Sequence, residues 1–475
     1  MPAAHSTLPA ADPRPIALAV GEPSRTIAFG PDGAVSLARF IGHVRGVAAT
    51  LPEQPWALNL CEDRYRFMVA FCAVALRGQA TLLPPARTRA AIDEVRARHA
   101  DSYCLGDGDP CGCDALAGLP HYLRLDHALP FADGDMPTLA ADALVAIGFT
   151  SGSTGTPGAN AKHWGSLRTS TAQNMAALSG LWPDGATPHV VATVPPQHMY
   201  GMEMSVLLPL LGGAAVHDTR PFFPHDIARA LGDAPGDRLL VTTPVHLRAL
   251  LQSGLTLPPL AAITTATAPL SQALAEAAEA RFGCEVRELF GSTETCVVAS
   301  RRSARESAWT PYPGVHITPQ PDGALVHAAH LEVAVALADL VALEPDGRFH
   351  LRGRQSDLLE IAGKRASLAD LTRRLLAIDG VEDGVVLQLD PVEGIGRIAA
   401  LVVAPTLDEG DITRALRAAI DPVFLPRPLR RVAELPRNET GKLPRAALLA
   451  LLQGSIGREP PLPGCRDVPE PAPDV

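Results

Sequence analysis

The middle of the chain alternates short apolar runs with segments of helical periodicity. The runs are rich in β-branched residues and lie at 190–194, 239–243, 262–267 and 286–290. Between them, apolar positions recur at helical spacing over 166–178, 202–211, 245–251 and 271–282, with Ser271 suited to begin the last helix and Gly283 to end it. This alternation predicts a parallel sheet with helices on both faces.

The patterning differs on either side of this region. Before it, a strand is predicted at 56–60 and helices at 64–77 and 89–99. After it come a predicted helix at 368–378, strands at 384–389 and 398–403, and helices at 412–420 and 444–452. We therefore predict an α/β protein in which a large N-terminal domain (1–353), with parallel sheets flanked by helices, precedes a small mobile α+β domain (354–453). The Pro-rich, acidic segment 454–475 is predicted to be disordered.

Bulk properties exclude several classes of protein. The formal net charge of −10 and the absence of a basic block argue against nucleic acid as a partner. No apolar run is long enough for a membrane span, and no signal peptide is evident, so a cytoplasmic location is expected. The eight cysteines form no C-x-x-C pair, which favours reduced thiols over a zinc site.

A polar or small-residue cluster follows each predicted strand of the central region. The clusters lie at 150–155, 195–198, 242–244, 267–269 and 291–294. Ligands of parallel α/β sheets bind at the carboxyl ends of the strands. We therefore expect the five clusters to face one crevice.

The segment 149–158, F-T-S-G-S-T-G-T-P-G, follows an apolar run at 143–149. Its glycines and hydroxyl residues suit a loop that turns backbone N–H groups toward an anion such as phosphate. Taken alone, it could equally be an exposed, flexible turn. It is neither a Walker A loop nor a nucleophile elbow.

The pattern T-S-G-S-T-G-x-P resembles the phosphate loop of the adenylate-forming superfamily, which comprises acyl- and aryl-CoA synthetases, firefly luciferase and nonribosomal adenylation domains. The resemblance implies a catalytic role for Thr150. It implies nucleotide contacts for the residues of the loop, namely Thr150, Ser151, Gly152, Ser153, Thr154 and Gly155. The family has a lysine after the proline, whereas this chain has Gly158, so pyrophosphate stabilisation is expected to fall to Lys162 or to the backbone.

Two further segments resemble the family's nucleotide-binding motifs. E-L-F-G-S-T-E-T at 288–295 is similar to Y-G-x-T-E, which implies that Phe290 stacks on adenine and that Glu294 holds Mg²⁺ and is catalytic. T-A-T-A-P-L-S at 265–271 is similar to the segment whose backbone lies along the adenine. The implied AMP contacts of the two segments are Thr267, Ala268, Pro269, Gly291, Ser292 and Thr293. Alone, these segments could be a solvated loop and a strand-to-helix turn.

The segment P-P-Q-H-M-Y-G at 195–201 resembles the family segment whose histidine lines the acyl pocket. A lone histidine is more often structural, so this role for His198 depends on the resemblance. The expected substrate pocket comprises His198, Met199, Met202, Thr242 and Thr265, with Phe290 beside it.

A-D-L-V-A-L at 338–343 and D-G-R-F-H-L-R-G-R at 346–354 resemble the family's T-G-D and G-R-x-D signatures. The resemblance implies that Asp339 binds the ribose, that Arg354 binds the ribose or phosphate, and that Ser356 occupies the hinge position. P-R-N-E-T-G-K-L-P-R at 436–445 matches P-x-x-x-x-G-K, which implies that Lys442 is the catalytic lysine. Only three lysines occur in the chain, Lys162, Lys364 and Lys442, and all lie in these candidate functional stretches.

The resemblance implies an acid–thiol ligase that uses ATP and Mg²⁺ to convert a carboxylic acid, which we expect to be aromatic, into an acyl-adenylate. The small domain would then swing so that a thiol attacks the adenylate. The segment G-K-R-A-S-L-A-D-L resembles ligases of aryl-polyene and xanthomonadin-type pathways, which implies the phosphopantetheine of an acyl carrier protein as acceptor. Free coenzyme A is the alternative acceptor. A non-catalytic relative that binds acyl-AMP or docks a carrier protein is an alternative of another class.

Overall fold

The computed structural model describes residues 15–108, 118–150, 158–354, 358–361, 364–389, 397–438 and 441–454. The chain divides into two compact units. The first comprises Met1–Ser356 with Glu439–Lys442, and the second comprises Asp357–Asn438 with Leu443–Val475. The boundary predicted after residue 353 and the predicted tail from 454 stay predictions. Residues 455–475 and the predicted hinge residue Ser356 lie outside the described residues.

The first unit is built of strands and helices in alternation. Its strands are β1 Ile16–Ala17, β2 Thr26–Gly30, β3 Gly33–Ser36, β4 Trp56–Asn59, β5 Ala80–Leu83, β6 Ser102–Gly106, β7 Tyr122–Arg124, β8 Thr138–Leu139, β9 Leu144–Thr150, β10 Gly158–His163, β11 His189–Ala192, β12 Ala215–His217, β13 Arg238–Thr242, β14 Ala262–Thr265, β15 Glu285–Ser292, β16 Cys296–Arg301, β17 Thr310–Pro311, β18 His316–Gln320, β19 Gly323–His327, β20 Val335–Leu337, β21 Asp339–Leu343 and β22 Phe349–Arg354. Its helices are α1 Leu37–Ala48, α2 Arg64–Leu76, α3 Arg89–Arg98, α4 Trp164–Ala177, α5 Met199–Met202, α6 Leu208–Leu211, α7 Pro224–Asp233, α8 Pro244–Gln252 and α9 Gln272–Phe282.

Two large sheets form the first unit, in line with the predicted parallel sheets flanked by helices. In the described residues, a nine-stranded sheet has the order β17-β16-β15-β14-β13-β11-β12-β2-β3, and a six-stranded sheet has the order β10-β9-β5-β4-β6-β7. The neighbours from β15 through β2 in the larger sheet are parallel, while its outer strands run antiparallel. The strand before the phosphate loop, β9, belongs to the smaller sheet and pairs antiparallel with β10. The predicted α/β fold class is confirmed.

One hydrophobic core joins the two sheets. Helices α1, α2 and α4 contribute to it together with strands of both sheets. Every residue of α2 from Phe67 to Ala73 is fully buried, as expected of a helix that is apolar on all sides. Helices α7, α8 and α9 pack in a second cluster on the nine-stranded sheet. This packing holds the strands whose carboxyl ends carry the predicted clusters.

Local signals set the helix ends in some places and not in others. Ser271 caps α9 by accepting from Leu274 N, and Gly283 ends it at φ 66°, as predicted. The helix predicted over 202–211 instead begins at Met199 and contains a π-helical turn, Glu203–Leu207, between α5 and α6. Glu203 begins that turn and is 2% exposed, so a buried carboxylate lies in the middle of an otherwise apolar segment.

The second unit is a small α+β assembly. Its elements are β23 Leu358–Ile361, β24 Lys364–Ser367, β25 Asp383–Gln388, β26 Ile398–Val403, β27 Leu429–Arg431, α10 Leu368–Leu376, α11 Glu409–Ala419 and α12 Arg445–Gly454. Strands β25, β26 and β27 form one sheet. Helices α10 and α11 share one core cluster with it, and α12 shares another through Leu448 and Leu452. Across the residues that the structure describes in either unit, no helix is both long and apolar enough to cross a bilayer.

Candidate active site

The phosphate-loop strand meets the turn after β15. Gly148, near the end of β9, lies so close to Thr293 that a Cβ on this glycine would be 2.7 Å from Thr293 Cγ2 and 3.7 Å from Met199 Cε. A larger residue at 148 would therefore separate the two sheets at this point. The structure thus brings the end of β9, which carries Thr150, against the predicted cluster at 291–294 and against Met199, which directly follows the cluster at 195–198.

The loop itself is only partly described. Ser151, Gly152, Ser153, Thr154 and Gly155 lie outside the described residues. Thr150 is paired across the strands with Gly158. A Cβ on Gly158 would be 3.0 Å from Thr150 Oγ1, so a side chain at this position would press on the Thr150 hydroxyl.

The predicted metal-binding residue, Glu294, lies in a tight turn closed by hydroxyl groups. Ser292 N donates to Thr295 Oγ1 and Thr295 N donates to Ser292 Oγ, both at 3.1 Å. Cys296 follows with a φ of 59°, a left-handed conformation that is rare outside glycine. Gly291 precedes the turn, and a Cβ there would be 2.1 Å from Cys296 O. The turn is therefore tightly specified, and Glu294 is half-buried within it.

Lys162 does not lie where a phosphate-binding lysine is expected to lie. Its side chain is 5% exposed, and Nζ donates to the main-chain oxygen of Glu294 at 3.1 Å. Lys162 Nζ also lies 3.6 Å from Cys296 Sγ. Lys162 thus contacts the Glu294 turn through the protein interior.

The segment after β14 has the strained backbone expected where a ligand lies along a main chain. Thr267 has a φ of 79°, and its Oγ1 is buried without a hydrogen-bond partner among the described residues. The fully buried Oγ1 of Thr265 likewise has no partner there. The buried carboxylate of Glu288 holds the next turn by accepting from Leu270 N at 2.9 Å. Ala268 and Pro269 lie in this segment, and its unpaired hydroxyl groups fit a polar ligand such as a nucleotide.

The predicted pocket residues lie at the ends of β11, β13 and β14. Met199 and Met202 are buried, and Thr242 Oγ1 is 3.0 Å from Thr193 Oγ1. Phe290 packs against Trp309 and Phe349, with ring centroids 5.4 Å and 5.9 Å away, and keeps part of its surface exposed.

Arg64 is a buried residue that the sequence analysis missed. It is fully buried at the start of α2 and donates at 2.9 Å to the main-chain oxygens of Ala192 and Val194 and, more closely, to Ser205 Oγ. Burial lowers the pKa of the Arg64 guanidinium to about 9. This side chain holds the end of β11 just before His198. Arg64 is the first residue of an apolar helix, and nothing in the neighbouring sequence indicated this role.

Beside this edge, His246 is buried and His198 is half-buried, and both are neutral imidazoles. Burial lowers the pKa of each to about 4, and the charge of Lys442 contributes to the shift at His198. His246 lies in the first turn of α8, where its Nδ1 is 3.0 Å from Thr243 Oγ1 and 3.2 Å from Thr193 Oγ1. No sequence motif indicated His246.

These histidines predict a loss of stability in acid. An unfolded histidine titrates near pH 6.5, so between about pH 6.5 and 4 the unfolded chain binds more protons than the folded one. The free energy of unfolding should then fall by about 1.4 kcal/mol per buried histidine between pH 8 and 5.5. Urea unfolding of the wild type and of His246→Asn at both pH values tests this. The variant should lose about 1.4 kcal/mol less, and an equal loss in both proteins would contradict the prediction.

The predicted ribose-binding pair comes from neighbouring strands. Asp339 in β21 is paired with Arg354 in β22, and Asp339 is half-buried. The structure therefore places the two backbones side by side. The side chain of Arg354 lies outside the described part of the chain.

The turn that carries Lys442 belongs to the first unit. Gly441 has a φ of 79°, and a Cβ on it would lie 3.6 Å from Val245 Cγ2 and 3.7 Å from Thr267 Oγ1. Lys442 is exposed and lies close enough to His198 for its charge to lower the pKa of that imidazole. Lys442 is thus brought to the edge at which His198 and Thr267 lie.

Within the described ranges, no group of three or more His, Cys, Asp or Glu side chains is placed to hold a metal ion. A metal at Glu294 could take its other ligands from a bound nucleotide and from water. This fits Mg²⁺, which usually has one or two protein carboxylates beside substrate phosphates.

Comparison with known proteins points to one family. The profile of the AMP-binding enzyme family matches residues 60–336. The chain is 32% identical to a 4-coumarate–CoA ligase of Rhodobacter capsulatus over 315 residues, covering 65% of this chain and 77% of the relative. It is 29% identical to a 4-coumarate–CoA ligase of Halorhodospira halophila over 336 residues, covering 65% and 78%.

A solved structure shares the fold. The o-succinylbenzoate-CoA synthetase of Bacillus subtilis, in complex with its acyl-adenylate intermediate, superposes with a TM-score of 0.76 at 18% identity, covering 90% of this chain and 95% of that one. The matched length and the identity to the curated ligases go beyond a shared fold. The chain therefore belongs to the AMP-binding enzyme family and is an AMP-forming acid–thiol ligase.

Proposed function

We propose that this protein uses ATP and Mg²⁺ to convert an aromatic carboxylic acid into an acyl-adenylate and then joins the acyl group to a thiol. The observation that carries the proposal is the meeting of three segments at one edge of the first unit. These are the end of β9 against Thr293, the strained segment at Thr267, and the Gly441 turn beside Thr267 with Lys442 near His198.

The chain's own residues would divide the work of adenylation. The ammonium of Lys442 would stabilise the negative charge that develops as the carboxylate attacks the α-phosphorus, the α–β phosphoanhydride bond breaks and pyrophosphate leaves. Glu294 would hold Mg²⁺, which would offset the negative charge of the nucleotide phosphates, and Thr150 would bind a phosphate group. The backbone of Thr267, Ala268 and Pro269 would lie along the adenine.

An aromatic acid is supported by the relatives and by the lining of the pocket. The curated relatives act on 4-coumarate, and the solved neighbour holds an o-succinylbenzoyl-adenylate. Buried Met199 and Met202 offer apolar, polarisable contact surface for a ring. The hydroxyl of Thr265, which has no hydrogen-bond partner among the described residues, would be available to a polar group of the substrate.

The thiol acceptor has two candidates. The relatives named above use coenzyme A. The segment around Lys364 supports the phosphopantetheine of an acyl carrier protein, as the sequence analysis predicts, and this acceptor stays a prediction. We also propose a cytoplasmic location, which likewise stays a prediction.

Acid-dependent ATP–pyrophosphate exchange tests the proposal. We expect exchange with an aromatic acid such as 4-coumarate and little with a matched aliphatic acid such as octanoate. Coenzyme A and a phosphopantetheinylated carrier protein, offered in parallel, then distinguish the acceptors by thioester yield. Binding of ATP without exchange for any acid would contradict the proposal and favour a non-catalytic adenylate-binding protein.

A further inference from the structure

A buried polar cluster lies directly behind the turn that carries Glu294. It consists of Lys162 in β10, Glu203 in the π-helical turn, and His330 after β19, each 5% exposed or less. Together, these side chains bind the main chain at Glu294, Thr295 and Val297. The sequence indicated no role for Glu203 or His330. For Lys162 it indicated only a contact with pyrophosphate.

The contacts are directed at main-chain atoms. Lys162 Nζ donates to the oxygen of Glu294 at 3.1 Å, and His330 Nε2 donates to the oxygen of Thr295 at 2.7 Å. Val297 N donates to Glu203 Oε1 at 2.9 Å. Two successive carbonyl groups and a nearby N–H are therefore fixed from the protein interior. This arrangement orients the intervening left-handed Cys296 as well.

The cluster is itself held by other side chains. Glu203 Oε2 accepts from Ser170 Oγ at 2.8 Å and from Asn174 Nδ2 at 3.0 Å. His330 Nδ1 lies 2.6 Å from Gln173 Oε1, and Gln173 Nε2 donates to Pro313 O at 2.9 Å. Three of these supporting residues lie on α4, so the helix that follows β10 buttresses the cluster.

Lys162 is poorly placed for phosphate. It is four residues along β10 from Gly158, which corresponds to about 13 Å of strand. Its ammonium is instead buried near the Glu203 carboxylate, whose pKa burial raises while the charge of Lys162 opposes that rise. A buried cation with a carboxylate near it and a main-chain oxygen as acceptor is a stable arrangement.

We propose that Lys162 is the positioning residue for the metal-binding carboxylate of Glu294, and that His330 supports it at the next carbonyl group. Lys162 acts by fixing the backbone of the turn, so the Glu294 side chain projects in one direction toward the metal. The inference rests on the proposed role of Glu294 as Mg²⁺ ligand. Groups that orient a metal ligand commonly change metal affinity by about 10–100-fold when removed.

The test is calorimetric titration of the full-length protein with MgATP and with AMP. AMP lacks the β- and γ-phosphates that share the metal, so its affinity reports the rest of the nucleotide site. Lys162→Met should weaken MgATP binding about tenfold and leave AMP binding within about twofold. Tyr103→Phe is a matched control, because it removes the buried bond to Gln79 Oε1 at 2.7 Å in the six-stranded sheet. It should leave both affinities unchanged.

A double-mutant cycle shows whether Lys162 acts through Glu294. In a Glu294→Gln background, Lys162→Met should have little further effect on MgATP affinity. Fully additive losses, or a folded Lys162→Met protein that binds MgATP as tightly as the wild type, would overturn the proposal. Equal weakening of AMP and MgATP would also overturn it, because that result indicates a general structural role.

His330→Leu provides a second route if Lys162→Met does not fold. It removes the donor to Thr295 O and should weaken MgATP binding about threefold without affecting AMP binding. The effect should be smaller than that of Lys162→Met, because His330 binds the carbonyl group after that of Glu294. Unchanged MgATP affinity in folded His330→Leu would then count against the proposal. Because these measurements need no acid substrate, they remain decisive if wild-type exchange activity proves absent and the proposed function fails.

Discussion

Lys442→Ala is expected to lower acid-dependent ATP–pyrophosphate exchange about 10²–10³-fold, the largest effect we predict, because it removes the cation that opposes charge at the reacting phosphate. The structure supports this role through the position of its turn. Gly441 lies against Val245 and Thr267, and the charge of Lys442 reaches His198. Exchange should be measured at saturating ATP and acid, so that the loss reports kcat.

The matched control is Arg417→Ala, which removes an exposed cation in the last turn of α11. It should retain wild-type exchange. Lys442→Arg should recover only part of the activity, because a planar guanidinium does not reproduce a compact ammonium. Wild-type exchange in purified Lys442→Ala would remove this residue from the catalytic set.

Glu294→Gln is expected to have the second largest effect, a fall in exchange of roughly 10²-fold at moderate Mg²⁺. The amide keeps the size of the side chain but lacks the charge that a hard divalent cation requires. Raising the Mg²⁺ concentration should recover part of the lost rate, since the nucleotide phosphates still bind the metal. Exchange rate against Mg²⁺ concentration is therefore the informative measurement.

Glu332→Gln serves as the control for this variant. Glu332 is an exposed carboxylate whose side chain lies 3.1 Å from His163 at the surface. It should show the wild-type dependence on Mg²⁺. If Glu294→Gln and the wild type share one Mg²⁺ profile, the metal must be bound elsewhere.

The elements of the fold were predictable where signals were local. The cap at Ser271 and the left-handed Gly283 specify the ends of α9 with residues adjacent in sequence. The assignment of β9 to a second sheet was not predictable in this way. That outcome depends on pairing with β5 and β10, which no short pattern encodes.

The same distinction between local signals and long-range contacts applies to the candidate site. Motif order placed Thr150, Glu294 and Lys442 in one candidate set, and their roles stay predictions. The partners of Lys162 could not be predicted, because Glu294 lies 132 residues away in the chain. The scarcity of lysine marked Lys162 as unusual, yet only its burial and its bond to a main-chain oxygen indicate what it does.

The crowding at Gly158 bears on attempts to exchange residues between relatives. Restoring the family's lysine at this position would add a cation, but its first side-chain carbon would compete for space with the Thr150 hydroxyl at 3.0 Å. The two residues therefore form a coupled pair. Transplanting one residue of such a pair calls for redesign of its neighbour at the same time.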